Sequence, residues 1–162
     1  MARALIIGCG CRGRELGASL RGDGWSVRGT SRSAAGVDAI EAAGFDGVEA
    51  DPDHLGTVLH HVGDVAVIAW LMGSAGGEPG SAAAVNGERL ESLMARLVDT
   101  PVRGFVYEAV GSAPAAALRR GSSIVETAGE RWRIPVMLLR AEPSESGWSA
   151  AAAGAVRSVI GS

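Results

Sequence analysis

A chain of 162 residues, 47% of them apolar, is long enough to bury the core of one domain and too apolar for a disordered coil. No apolar run reaches the roughly 18 residues of a membrane span, and the first one breaks at Gly8, too early for a secretory leader. A cytoplasmic protein without a membrane partner is therefore expected. The net charge is −3 and all 15 basic residues are arginine, with no basic run that would bind nucleic acid.

Short apolar runs alternate with amphipathic segments along the chain. A strand at 4–8 leads to a helix at about 12–21, which stops at the glycines flanking Asp23. A second strand is expected at 25–29 and a helix at 34–43, closed by Gly44. A short third strand at 45–50 precedes a helix from 53 to about 61, with Asp53 as its N-cap. The fourth strand, 64–70, carries VAVIAW without a charge, as a strand covered on both faces requires. A glycine-rich loop at 73–80, read as a lid or a plain connector, precedes one long helix at 81–98, with Leu90, Leu93, Met94 and Leu97 at helical spacing. A fifth strand at 102–107 follows. Pro114 then opens a helical stretch that resumes after Gly121 and runs to about 132. A strand at 134–139 and a helix at 148–160 complete the pattern. Such alternation predicts an α/β fold: one domain over 1–162, a doubly wound, Rossmann-type parallel sheet of six strands. The expected order is 3-2-1-4-5-6, with helices on both faces.

Gly8, Gly10 and Gly13 form G-x-G-x-x-G directly after the first strand and at the start of the first helix. That context makes the pattern a candidate pyrophosphate cradle. Gly8 permits the tight turn, Gly10 lets a phosphate approach the backbone, and Gly13 lets the helix lie close to the sheet. The free N–H groups at the helix start then meet the anion. Cys11 and Arg12 fall inside the same loop and are counted with the binding set. Cys9 and Cys11 are the only cysteines. Two thiols this close cannot complete a zinc site, so no metal is expected, and both read as small fillers.

An NAD-preferring site places a carboxylate at the end of the second strand. Here the chain reads RGTSRS, residues 28–33. Thr30 and Ser31 can donate to a 2′-phosphate and Arg32 can pair with it, so NADP is expected rather than NAD. Arg12 could reach either that phosphate or the pyrophosphate. Arg14 reads as solvent-facing.

At this point the chain resembles the extended and atypical short-chain dehydrogenase/reductase superfamily. The resemblance adds DPD at 51–53, DVAVIAWL at 64–71, VNGERLESLM at 85–94, VRGFVYEAVGS at 102–112 and IPVMLLR at 134–140. It implies that Asp51 meets the adenine amino group and that the fourth strand, at Ala69 and Trp70, runs under the cofactor. It also exposes departures. The catalytic Tyr-x-x-x-Lys pair of that family would fall near Leu118 and Ser122. No lysine exists in the chain, and the single tyrosine, Tyr107, reads as structural. Extended members continue well past the sixth strand into a substrate lobe, whereas here one helix follows.

Sites in this fold form at the C-terminal ends of the strands. The remaining chemical candidates there are Trp70, Met72, Ser74, Glu108, Ser112 and Glu142. Glu108, where the family has serine, is the candidate catalytic acid or base. Two readings stay open: an NADP-dependent oxidoreductase acting on a small carbonyl or sugar-like molecule, and a non-catalytic NADP-binding sensor or regulatory subunit. An apolar open face would admit a second copy as a homodimer partner.

Overall fold

The computed structural model describes residues 2–73 and 81–161. The expected loop at 73–80, beyond Gly73, and the candidate Ser74 lie outside the described residues. Six strands form one sheet: β1 (Arg3–Ile7), β2 (Ser26–Ser31), β3 (Asp46–Glu49), β4 (Val67–Trp70), β5 (Phe105–Glu108) and β6 (Val136–Leu139). All pairings are parallel, in the order β3-β2-β1-β4-β5-β6. The helices are α1 (Cys11–Gly22), α2 (Ala34–Ala42), α3 (Leu55–Leu59), α4 (Ser81–Val85), α5 (Glu88–Arg96), α6 (Ala115–Trp132) and α7 (Trp148–Ile160). The α/β class, the strand order and the two helical layers are those expected from the alternation.

The central strand shows why this sequence builds that sheet. Ala4 and Ile6 of β1 pack with Leu16, Leu20, Ile40 and Trp148 on one face. Leu5 and Ile7 pack with Val58, Leu90, Leu93 and Val125 on the other. A strand covered on both sides must be apolar at every position, which is the pattern ALII supplies. Hence α1, α2 and α7 cover one face, and α3 to α6 the other. No described helix is long and apolar enough to cross a membrane.

Three expectations about helices change. The stretch at 81–98 is not one helix: it breaks between α4 and α5, and a single 3-10 turn, Leu97–Asp99, ends it. The break is at Asn86 and Gly87. The Asn86 amide donates to the Ala82 carbonyl at 2.9 Å and its oxygen accepts from the Tyr107 hydroxyl at 2.7 Å. A side chain that ties itself to backbone and core in this way competes with helix propagation. Conversely, α6 runs unbroken through Gly121, where only glycine fits because a side chain would overlap the Tyr107 hydroxyl. Finally, α3 starts from His54, and Asp53 does not cap it.

Candidate functional site

The strand order reverses between β1 and β4, and a cleft of about 350 Å³ opens at the C-terminal ends of the strands there. Its floor is the glycine loop. Gly8 has φ of 78°, a left-handed conformation, and a Cβ on it would lie 2.6 Å from the Leu71 carbonyl oxygen, so only glycine fits. Its N–H donates to Thr30 Oγ1 at 3.3 Å, and the Cys9 N–H donates to the Thr30 carbonyl at 3.0 Å, which pins the loop to the end of β2.

Gly10 is the N-cap of α1, no side chain caps the helix, and its first turn holds no acidic residue. The unpaired N–H groups and the positive end of the helix dipole therefore face the cleft. A Cβ on Gly10 would meet nothing within 4 Å. The open space before an uncapped helix start is the shape a pyrophosphate needs. On Gly13 a Cβ would lie 3.2 Å from Cys9 Sγ and from Ile6, consistent with its packing role. The residues present thus fit a dinucleotide cofactor.

The β2 side forms one end. Ser31, Arg32 and Gly36 all line the cleft. Ser31 Oγ accepts from the Ser33 N–H at 3.3 Å, and Ser33 Oγ caps α2 by accepting from the Gly36 N–H at 3.0 Å. Thr30 also lines the cleft, but it is 1% exposed and its hydroxyl serves the glycine loop. Among the described residues lining the cleft, the sole carboxylate is Glu108, at the opposite end.

Glu108 is the last residue of β5 and is 4% exposed. Its Oε1 accepts from the Gly73 N–H at 2.8 Å. Burial pushes its carboxyl above the usual carboxylate range, opposed by the Gly73 hydrogen bond and by the nearby charge of Arg12. Arg12 also lines the cleft, and its Nε donates to the Pro143 carbonyl at 3.0 Å, beyond β6. Because β6 and β2 lie on opposite sides of β1, Arg12 reaches away from Arg32. Arg14 joins the lining rather than facing solvent alone.

Three residues expected at the cofactor do not line the cleft. The Asp51 carboxylate turns into its own loop, accepting from the Asp53 N–H at 2.9 Å and contacting His54 Nδ1 at 3.2 Å. Ala50 and Pro52 line the cleft in its place. Ala69 and Trp70 are buried in the core, with Trp70 packed beside Phe105 and its Nε1 without a hydrogen-bond partner among the described residues. The lining comes from Leu71 and Met72 instead. Ligand sites lie just outside strand ends, so a strand ending at Trp70 could have pointed one step further along. Ser112 and Glu142 are exposed and outside the lining.

Of the other residues weighed for chemistry, Tyr107 and Cys9 sit in the core and Cys11 does not. Tyr107 is fully buried, its hydroxyl bound to Asn86, and burial raises its pKa further. Leu118 is buried, and Ser122 donates to its carbonyl at 2.8 Å. Cys9 is a core filler between α1 and β2 whose thiol is pushed up to about 11 by burial, while Cys11 is an exposed thiol on the cleft wall.

The fold and the cleft define a doubly wound α/β sheet with an uncapped helix start at its switch point. No protein-family model matches the chain, and no curated protein matches it in sequence. Solved structures do match it in fold. A short-chain dehydrogenase/reductase superfamily protein from Agrobacterium tumefaciens with bound NAD superposes with a TM-score of 0.69 at 20% identity, over 85% of this chain and 48% of its own. Yeast methylglyoxal/isovaleraldehyde reductase complexed with NADPH gives 0.63 at 14% identity, over 86% and 54%. UDP-glucose 4-epimerase from Thermotoga maritima gives 0.69 at 13% identity, over 85% and 54%. This chain therefore shares its fold with short-chain dehydrogenase/reductase and epimerase structures, and it spans about half the length of those it matches.

Proposed function

We propose that the protein binds NADP(H) in the glycine-loop cleft and uses it in an oxidoreductase reaction on a small carbonyl compound. The observation that carries this reading is the asymmetry of the cleft. An uncapped helix start lies at its centre, a carboxylate-free end with Ser31 and Arg32 lies on one side, and a buried carboxyl lies on the other. Gly8, Gly10, Cys11, Arg12 and Gly13 hold the pyrophosphate. Ser31, Arg32 and the start of α2 hold the 2′-phosphate, where NAD would call for a carboxylate.

When bound, NADPH supplies a hydride to the carbonyl carbon. Glu108 holds a proton that the carbonyl oxygen takes up, because burial favours its neutral form. The Gly73 N–H fixes that carboxyl group in place. Arg12, held at Pro143, keeps positive charge beside the pyrophosphate.

A second reading has its own support. Leu118 and Ser122 occupy the positions where the resembled family carries tyrosine and lysine, which favours a binding protein without turnover.

Calorimetric titration separates these claims. NADPH should bind clearly more tightly than NADH, and equal affinities overturn the 2′-phosphate reading. Arg32→Glu should weaken NADPH by about 1.5–3 kcal/mol, the loss of one charge-assisted contact, with little effect on NADH. A carbonyl-substrate screen with NADPH then decides catalysis: turnover abolished in Glu108→Gln supports the enzyme, and tight binding without turnover supports the sensor.

A further inference from the structure

The loop after β3 closes the end of the cleft that holds Ser31 and Arg32. Ser31 stands beside Glu49 in the β2–β3 register, and Ala50 and Pro52, just past Glu49, line the cleft next to it. A nucleotide whose 2′-phosphate meets Ser31 and Arg32 therefore lays its base against Ala50 and Pro52. We propose that these two residues form an apolar slot that holds the base without reading its hydrogen-bonding edge, so that the site accepts a purine dinucleotide with adenine or hypoxanthine alike. This rests on the NADP(H) reading above.

The hydrogen bonds of the loop carry the argument. Both carboxylates of the DPD stretch are drawn away from the cleft. Asp51 accepts from the Asp53 N–H at 2.9 Å and contacts His54 Nδ1 at 3.2 Å, and Asp53 accepts from Arg89 Nε of α5 at 3.1 Å. The Asp51 carbonyl accepts from the His54 N–H at 2.8 Å. The backbone donors are spent as well. The Ala50 N–H donates to the Ser31 carbonyl at 3.0 Å, the Asp51 N–H to Thr57 Oγ1 at 2.8 Å, and the Asp53 N–H to the Asp51 carboxylate. Pro52 has no N–H to give. The two residues that remain at the slot, Ala50 and Pro52, are buried and carry no polar side-chain atom.

The chemistry of the base then decides what is lost. Adenine presents an amino donor at position 6 and an acceptor at N1. Hypoxanthine presents the reverse, an oxygen acceptor at position 6 and an N–H at N1. A site built to bond one edge rejects the other by large factors, because its own polar groups are left unpaired, whereas an apolar pocket separates isosteres weakly. Here the Asp51 carboxylate that would meet the amino group already has partners, and the following residue cannot donate to N1. Affinity comes from the phosphates and from apolar contact with either base.

The test titrates NADPH and its hypoxanthine analogue, in which oxygen replaces the 6-amino group, calorimetrically into the full chain. The two affinities should agree within about threefold. Asp51→Asn, which keeps an oxygen for the Asp53 N–H, should leave their ratio unchanged. Pro52→Asp places an acceptor-only side chain on the slot and should shift the ratio toward NADPH by about tenfold, with a melting curve reporting that the variant folds. NADPH tighter than the analogue by tenfold or more in the parent overturns the apolar slot while the cofactor reading stands. So does a ratio that moves in Asp51→Asn, or one that stays fixed in a folded Pro52→Asp. If neither nucleotide binds the parent, the cofactor reading falls and takes the slot with it.

Discussion

Single side chains in the cleft are set apart by what surrounds them, and two of them make direct predictions. Glu108 is buried, and its folded pKa is raised above the ordinary 4.5. A carboxyl raised on folding contributes its stability below its unfolded pKa and loses it as pH rises through the folded value. Glu108→Gln keeps an oxygen for the Gly73 N–H and removes the charge. Its melting temperature should therefore exceed that of the parent by a margin that grows as the pH rises above the ordinary 4.5 of the unfolded carboxyl. A margin that does not change as the pH rises would contradict a carboxyl whose charge is disfavoured by burial. The cysteines diverge in the same way. Cys9 is buried with its thiol raised to about 11, and Cys11 is exposed. Alkylation of the native chain should modify Cys11 alone, denaturant should expose the second site, and NADPH should slow the reaction at Cys11 because it lines the cleft. Mass mapping of the adducts checks all three.

At the scale of elements, the same residue type has opposite value in two helices. Gly121 of α6 stands against the Tyr107 hydroxyl, leaving no room for a Cβ. Gly154 of α7 has only Arg157 Nη2, at 3.8 Å, near the position a Cβ would take. Ordinary propensity favours alanine over glycine in a helix by about 0.5–1 kcal/mol. Gly154→Ala should show that gain in chemical denaturation. Gly121→Ala should reverse it and cost about 2–4 kcal/mol, by overpacking and by breaking the Tyr107–Asn86 hydrogen bond. The helix break at Asn86 and Gly87 and the continuity of α6 through Gly121 therefore meet at one hydroxyl. Neither was legible from local pattern, because a glycine inside a helix reads as a stop unless its tertiary neighbour is known.

For the molecule as a whole, the glycine-loop cleft is assembled from the ends of β1, β2, β4 and β5, so a ligand there would tie both halves of the sheet together. At about 100 times its Kd, NADPH should stabilise the fold by about 2.7 kcal/mol, roughly 5–10 °C for a chain of this size. Gly10→Val gives this prediction its control. A Cβ at Gly10 meets nothing within 4 Å, so the unliganded melting temperature should barely change. The NADPH shift should vanish, because the added side chain fills the space left for phosphate. A variant that still responds to NADPH would place the ligand elsewhere.

Local pattern alone was enough for the layered sheet, its strand order and the position of the glycine loop between β1 and α1. Apolar periodicity and glycine spacing act between near neighbours in the chain, and the handedness of the crossovers then leaves little choice. Which side chains enter the cleft was decided only by tertiary contacts. Thr30 faces the loop it pins, Asp51 folds onto its own turn, and Trp70 ends in the core one residue before the lining begins. Glu108 is held by a backbone N–H 35 residues earlier, and Arg12 by a carbonyl 131 residues later. A side chain's direction follows from partners that distant, and no window of sequence contains both ends of such a bond.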